Sequence, residues 1–405
     1  MDRSDFYPLF QRPYQRSMIS TNLLDIEKDP YSEDRQLAAP KCFDEVDILR
    51  GIAILSVILI HVYMGVITQV SSLNALVITN MFIALFSGAF AVPLFIFVSG
   101  FSLSNKYSGS FSYSSFWEKR LKFIIPPYII FSIFYLISSN GLNSIHPTFC
   151  LVLAQNCNGF LWFIPLIIQF YLLYPLIIRA YDYFNNTSKL KLLFGLALVL
   201  QILWDTITFG LPLGASIPFV SHLLYFLLGI YAARNYEHVK LNIINIKNSE
   251  IHELVLLSLV FTTLLTYIWL IRFNYIESYI KIPTLNFIST LCILLGFLAL
   301  FMFILVLCIR ASLYLTKTNS LYARVFVSFG CRSFGIYLVH AYLISILGMN
   351  IERFGFLGDN WSYYFLLFTM TALLSYLIVY LLNFVPHSEL LIGTHKRFYE
   401  MPIQS

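Results

Sequence analysis

Asp47, Arg50 and His61 stand in one unbroken apolar run, Asp47-Ile48-Leu49-Arg50-Gly51-Ile52-Ala53-Ile54-Leu55-Ser56-Val57-Ile58-Leu59-Ile60-His61. At 100° and 1.5 Å per residue, a helix places Arg50 and His61 about 20° apart in azimuth and about 16 Å apart along its axis. Asp47 falls about 40° to the other side of His61, so three ionisable groups share one stripe. Inside a membrane such a stripe cannot face lipid without a cost of several kcal/mol per charge, and it must turn toward a polar cavity or pathway. A histidine there can act as a general base near neutral pH. Arg50 suits an anionic ligand, and Asp47, one turn away, can hold the guanidinium.

The elements that carry the stripe follow from composition. The chain has 405 residues, of which 58% are hydrophobic and 12% charged, with a mean hydropathy of +0.74. Soluble domains carry about 25% charged residues, and the apolar residues here come in runs of about 20, the length that spans a hydrocarbon core. The expected fold is all-α, a polytopic membrane protein. A net charge of +5 is uninformative by itself, because the placement of Lys and Arg matters more than their sum. No nucleic-acid partner is expected. Residues 1–43 are polar and of mixed charge with no apolar signal core, and they read as a disordered cytosolic tail rather than a cleavable leader.

Ten spans are expected, at 46–67, 78–104, 123–139, 159–178, 190–210, 216–233, 251–271, 284–309, 329–349 and 363–386. With the N-terminus inside, the inner segments hold Lys106, Lys119, Arg120, Lys122, Arg179, Lys189, Arg234, Lys240, Lys247, Arg310, Lys317, Arg324, Lys396 and Arg397. The outer loops hold Arg272, Lys281 and Arg353. This asymmetry follows the positive-inside rule and places both termini in the cytosol of a cell-membrane protein. Residues 44–387 form the membrane domain and 388–405 a short cytosolic tail.

Other residues could contribute chemistry. Lys119, Arg120 and Lys122 precede Ile125-Pro126-Pro127-Tyr128; they read either as ordinary cytosolic anchoring or as a seat for an anionic ligand. Cys150 and Cys157, in the outer loop, face an oxidising side and could form a small disulfide. Cys42, Cys292, Cys308 and Cys331 read as reduced fillers, and no spacing matches a metal site. Trp162 fits an interfacial aromatic. Gln169, deeper in the span, needs a buried partner. Asp205 lies well inside a span and reads as a site carboxylate or as an interfacial acid reaching water. Ser333, Tyr337 and His340 share one face at i, i+4, i+7, and His340 reads as an interhelical hydrogen-bonding histidine or a direct participant. With no phosphate loop, metal cluster or soluble catalytic domain, any chemistry belongs inside the bundle.

Asp47-x-x-Arg50-Gly51-x-Ala53 followed by His61 resembles the Arg-x10-His signature in the first span of the membrane acyltransferase-3 family, whose members O-acylate extracytoplasmic glycans. Phe95-x-x-Val98-Ser99-Gly100-Phe101, the basic run before Ile125-Pro126-Pro127-Tyr128, Trp162-Phe163 through Pro175, and Ile336-Tyr337-Leu338-Val339-His340 extend the resemblance over about residues 43–386. It implies transfer from cytosolic acyl-CoA, often acetyl-CoA, to a sugar hydroxyl at the outer face. No permanently bound cofactor is implied, and membrane lipid and a glycan or glycolipid acceptor are the implied partners. His61 matches the family histidine and Arg50 its arginine partner. The family's basic Arg-x-x-Arg motif becomes Lys119-x-x-Lys122 with Arg120 between, which leaves open the cation that contacts CoA. Arg332, Tyr337 or Gln169 would supply a donor to the developing oxyanion. Two rival functions share these residues: export or flipping of a polysaccharide or lipid-linked glycan, and a catalytically degenerate assembly subunit.

Overall fold

A charge stripe on one helix needs neighbours that bury its apolar sides, and the computed structural model supplies them. It describes residues 44–64, 75–107, 112–140, 161–207, 219–279, 283–318, 320–353 and 360–393. The expectations for residues 1–43 and for Cys42, Cys150 and Cys157 lie outside these. Among the described residues all regular structure is helical.

Helix α1 (Asp44–Met64) opens with Asp44, Glu45 and Asp47, acids that suit the positive end of the helix dipole. It is followed by α2 (Ala75–Lys106), a short α3 (Tyr113–Leu121) and α4 (Ile125–Asn140). Pro126 and Pro127 stand in the first turn of α4, where a missing amide hydrogen costs nothing. Next come α5 (Phe163–Asn186), α6 (Leu190–Ile207), a 3-10 turn (Phe219–His222) running into α7 (Leu223–Arg234), and α8 (Tyr236–Ile244). The remainder is α9 (Asn248–Tyr279), α10 (Pro283–Thr318), α11 (Leu321–Cys331), α12 (Ser333–Arg353), α13 (Trp361–Leu382) and the single turn α14 (Glu389–Ile392).

Each of the ten expected spans overlaps a helix among the described residues. Seven of these helices are long and apolar enough to cross a hydrocarbon core: α1, α2, α5, α9, α10, α12 and α13. The α7 segment is apolar but shorter, and α4, with 16 residues, extends only about 24 Å. The ninth expected span, 329–349, is displaced. Its first residues belong to α11, the helix is interrupted at Arg332, and the long helix starts at Ser333. Helices α3, α8 and α11 occupy stretches read as inner connecting segments, and α14 docks the start of the C-terminal tail, with Ile392 fully buried.

The bundle is centred on α1 and α2. Helix α1 packs on α2, α10, α11, α12 and α13, and α2 packs on α7. Close backbone approach explains two glycine pairs. A Cβ at Gly330 would meet the Asp47 carbonyl oxygen at 1.8 Å, and one at Gly51 would meet the Phe326 oxygen at 2.2 Å. Across α2 and α7, a Cβ at Gly100 would strike Phe226 O at 2.3 Å and one at Gly229 Phe97 O at 2.0 Å. Where lipid tails remove the hydrophobic drive between helices, such small-residue contacts let backbones pack closely. The outward faces of α6 and α9 carry exposed Leu200, Leu203, Leu256 and Leu264, as a lipid-facing surface requires.

Candidate active site

The charged end of the stripe is built on α1 and α2. Arg50 Nη1 donates to Asp47 Oδ1 at 2.6 Å within α1, and Arg50 Nη2 donates to Ser102 Oγ at 2.8 Å on α2. The i, i+3 spacing of Asp47 and Arg50 is local helix geometry; Ser102 is brought in by the antiparallel packing of α2. Both charged side chains are partly exposed, Arg50 by 29% and Asp47 by 21%, so the arginine is oriented and still reachable from the aqueous end of the bundle.

His61, three turns further along α1, meets α12. His61 Nδ1 lies 2.8 Å from the Val57 carbonyl oxygen and 3.3 Å from His340 Nε2. His340 Nδ1 lies 2.7 Å from the Tyr337 carbonyl oxygen, and its side chain is fully buried. Carbonyl oxygens only accept hydrogen bonds, so each histidine carries its hydrogen on Nδ1. His340 Nε2 then presents a lone pair to the His61 Nδ1–H, which is shared between Val57 O and His340. The basic lone pair of His61 is therefore on Nε2. The two rings lie 4.9 Å apart, tilted by 56°.

His61 lines a cavity of about 100 Å³ together with Val57, Ile60, Val92, Phe95, Trp162, Phe163 and Tyr337. The Phe163 amide donates to the Tyr337 hydroxyl oxygen at 3.3 Å. Phe163 also packs its ring at 5.6 Å from both Phe95 and Tyr337. One basic imidazole and one phenol thus face an otherwise apolar space, in which polar interactions are worth more than in water. The turn of α12 that carries His340 is pinned from α4: Tyr135 Oη donates to Leu338 O at 3.0 Å and accepts from Tyr342 N at 3.1 Å. Its hydroxyl thereby joins the very carbonyl and amide that would close one helical turn.

The basic segment before α4 is arranged differently from its sequence spacing. Lys119 and Lys122 are exposed, whereas Arg120 is half-buried. The Arg120 guanidinium lies 5.4 Å from the Tyr107 ring and 5.8 Å from the Tyr171 ring, within cation–π range. Lys106 shares the Tyr107 ring at 5.9 Å, and Arg179 sits 4.8 Å from Tyr113. Trp117 ties α3 to α5 through its indole N–H to Tyr171 O at 3.2 Å.

Three expected contributors lie elsewhere. Gln169 Oε1 accepts from the Phe219 amide at 2.9 Å and so fixes the 3-10 turn before α7. Arg332 donates to Ser328 Oγ at 2.7 Å and Ser328 O at 3.1 Å, and lies 4.9 Å from the Tyr376 ring and 5.5 Å from the Tyr380 ring. It secures the α11–α12 break to α13. Asp205 is half-buried beside Gln201 and Ser221. Of the residues read as candidates from the sequence, the structure brings Asp47 together with Arg50, and His61 together with Tyr337 and His340. Ser102 and the Phe163 amide, which join them, are not among the candidates, and Lys106 and Arg179 read only as inner-segment charges. Ser102 directly follows the Val98-Ser99-Gly100-Phe101 run and carries no signal distinguishing it from Ser99 or Ser104.

Comparison with known proteins places this arrangement. Residues 43–380 match the profile of an acyltransferase domain, that of the acyltransferase-3 family. Two curated relatives, from Staphylococcus aureus strains MSSA476 and MRSA252, are 31% and 30% identical over 163 residues, and both are named probable poly-beta-1,6-N-acetyl-D-glucosamine export protein. The alignment covers 37% of this chain and 45% of each relative, so the chain spans less than half the length of the curated relatives it matches. No solved structure matches the chain at a significant level. With the profile running from the first turn of α1 almost to the end of α13, the chain belongs to the acyltransferase-3 family of membrane proteins.

Proposed function

We propose that the protein moves an acyl group, in the simplest case acetyl, from cytosolic acyl-CoA to a hydroxyl of an extracytoplasmic glycan or glycolipid. The observation that carries this reading is the His61–His340 pair at the wall of the cavity, with His61 held in the tautomer that keeps a lone pair on Nε2. Family membership supports acyl transfer as the reaction class. The concentration of Lys and Arg in the segments flanking α3, α8 and α11 supports an orientation with that end, and both termini, in the cytosol.

His61 Nε2 takes the proton of the acceptor hydroxyl as its oxygen attacks the thioester carbonyl. His340 Nε2 accepts from the His61 Nδ1–H and stabilises the imidazolium as it forms. The carbonyl oxygen becomes an oxyanion, to which the Tyr337 hydroxyl donates. The Phe163 N–H bonded to the Tyr337 oxygen makes that hydroxyl a stronger donor. Collapse breaks the C–S bond, and the leaving CoA thiolate takes the proton from His61. At the cytosolic end, Arg120 with Lys106 and Arg179 provides charge for the CoA phosphates. Arg50, held by Asp47 and Ser102, stands on the same helix between that end and His61. The chain's own residues carry every step, and acyl-CoA is a substrate.

The direct test is the purified chain in liposomes with labelled acetyl-CoA and a glycan acceptor. CoA release that depends on the added glycan, and is lost in His61→Ala, is the expected result. A folded His61→Ala chain that transfers at the wild-type rate would remove His61 from the role of base. The name of the two relatives favours one second reading, glycan export. It predicts glycan movement across the liposome wall with no acyl-CoA consumed.

A further inference from the structure

The cavity at His61 is small, and its size bears on the donor. It has a volume of about 100 Å³. An apolar cavity of about 150 Å³ holds benzene, with six heavy atoms, so a cavity of this size holds about four. His61 and Tyr337 both line it, and in the reaction proposed above the acyl carbonyl has to reach both. The carbonyl carbon and oxygen then fill part of that space, which leaves room for about two further carbons. What surrounds this remainder is apolar or aromatic: Val57 and Ile60 from α1, Phe163 from α5, and Val92 and Phe95 from α2. Among the described residues, no Asp, Glu, Lys or Arg lines the cavity.

Val92 and Phe95 stand at i, i+3 on one face of α2, a helix that carries neither the base nor the oxyanion donor. Val57, by contrast, offers its carbonyl to His61 Nδ1, and Phe163 gives its amide to the Tyr337 hydroxyl. Val92 and Phe95 can therefore change size without disturbing either bond. Their wall is firm. The Phe95 ring lies 5.6 Å from the Phe163 ring, which lies 5.6 Å from that of Tyr337, and close-packed side chains admit an extra methylene only with strain. We propose that Val92 and Phe95 set the length of the transferred acyl group: neutral groups of about two or three carbons enter, and longer or charged ones are turned away. This selection rests on the acyl transfer proposed above and adds to it the chain length of the donor. A longer chain has to displace the Phe95 ring or the Val92 methyl groups. A succinyl group brings a carboxylate into that largely apolar space, where an unpaired charge is heavily penalised.

The test uses the full chain in lipid nanodiscs, as wild type, Val92→Ala, Phe95→Ala and Val92→Leu. The donors are acetyl-, propionyl-, butyryl-, hexanoyl- and succinyl-CoA, and the acceptors are β-1,6-linked N-acetylglucosamine and β-1,4-linked glucose oligomers. Glycan-dependent CoA release gives kcat/KM for each donor. Calorimetry gives the binding of the matching ketone analogues, in which a methylene replaces the thioester sulfur. Ratios between donors within one chain do not depend on how much of that chain is folded. Wild type uses butyryl-CoA about 10–200-fold less well than propionyl-CoA, the worth of one methylene in a hydrophobic pocket. Val92→Ala and Phe95→Ala raise butyryl and hexanoyl relative to acetyl by about tenfold or more, and Val92→Leu lowers propionyl relative to acetyl by about tenfold. Succinyl-CoA is refused by all four chains. Wild type that uses hexanoyl-CoA as well as acetyl-CoA, or a donor profile that is the same in all four chains, overturns the wall. Analogue binding that follows the expected profile with no CoA released leaves the wall standing and overturns acyl transfer to these glycans. CoA release with one profile in every chain does the reverse.

Discussion

His340 Nε2 stands 3.3 Å from His61 Nδ1, joining two residues 279 positions apart in the chain. The contact divides labour between two similar side chains: one fully buried and bonded to its own helix, the other on the wall of a cavity. In the proposed reaction the second meets the substrate, and the first, together with the Val57 carbonyl, stabilises the charge that the second acquires.

That division predicts unequal mutant phenotypes. His61→Ala removes the base and lowers transfer by about 10²–10⁴-fold, the usual contribution of a positioned general base. His340→Ala leaves the base in place and lowers kcat by a smaller factor, with little change in acceptor KM. Stopped-time assays of glycan-dependent CoA release over a range of pH check both. Equal losses in the two variants would mean that the histidines act as one unit.

Tyr135→Phe tests how α12 presents His340. The substitution keeps the ring and removes the hydroxyl that joins Leu338 O and Tyr342 N. Loss of a buried hydrogen bond of this kind costs about 1–3 kcal/mol, read as a lower melting temperature in detergent. A fall in kcat larger than that in His340→Ala would show that Tyr135 positions more than the histidine.

Arg50 has two partners, and they are separable. Ser102→Ala removes one hydrogen bond to the guanidinium, worth about 1.5–3 kcal/mol for a charged group, while leaving the Asp47 pair. Arg50→Lys keeps the charge and loses the fork that reaches Asp47 and Ser102 together. Both variants therefore fold and both lose transfer, with Arg50→Lys the more affected. Retention of full activity in Arg50→Lys would show that charge alone suffices.

On the proposed donor side, the three cations differ in burial and in partners. Arg120 is seated between Tyr107 and Tyr171, whereas Lys119 and Lys122 reach into solvent. Arg120→Ala raises the KM for acetyl-CoA by about tenfold, as losing one charge-assisted contact should. Lys119→Ala and Lys122→Ala change it less than threefold, because exposed charges are screened and are worth about 0–1 kcal/mol. Initial-rate titrations of the donor at saturating acceptor give the comparison.

Glycine substitutions test the packing. Gly330→Ala sets a methyl group against the Asp47 carbonyl, and Gly51→Ala sets one against Phe326 O. Backbone cannot yield as a side-chain tip does, so each costs about 1–3 kcal/mol. Gly195→Ala has nothing within 4 Å and gains about 0.5–1 kcal/mol from helix propensity. Melting temperatures in one detergent should therefore move in opposite directions.

What the sequence determined by itself was everything that depends on one helix or on bulk composition. Runs of apolar residues defined a helical membrane bundle, because a lipid-exposed backbone must satisfy its own hydrogen bonds. Helical periodicity set Asp47 beside Arg50 and put Tyr337 and His340 on one face, since residues three or four apart are neighbours in any α-helix. Helix rotation and crossing decided the rest. Nothing in the chain order of Ser102, Tyr135, Phe163 and His340 states that they converge on α1 or α12. Arg332 has the sequence character of a site cation, yet the break before α12 turns it onto Tyr376 and Tyr380. Gln169 has the character of a catalytic amide, yet it holds the Phe219 turn. Partners across a bundle are fixed by how far each helix is rotated about its axis and how closely two backbones approach. Gly51 and Gly330 set that approach for α1 and α11, and their effect becomes legible only once both helices are in place.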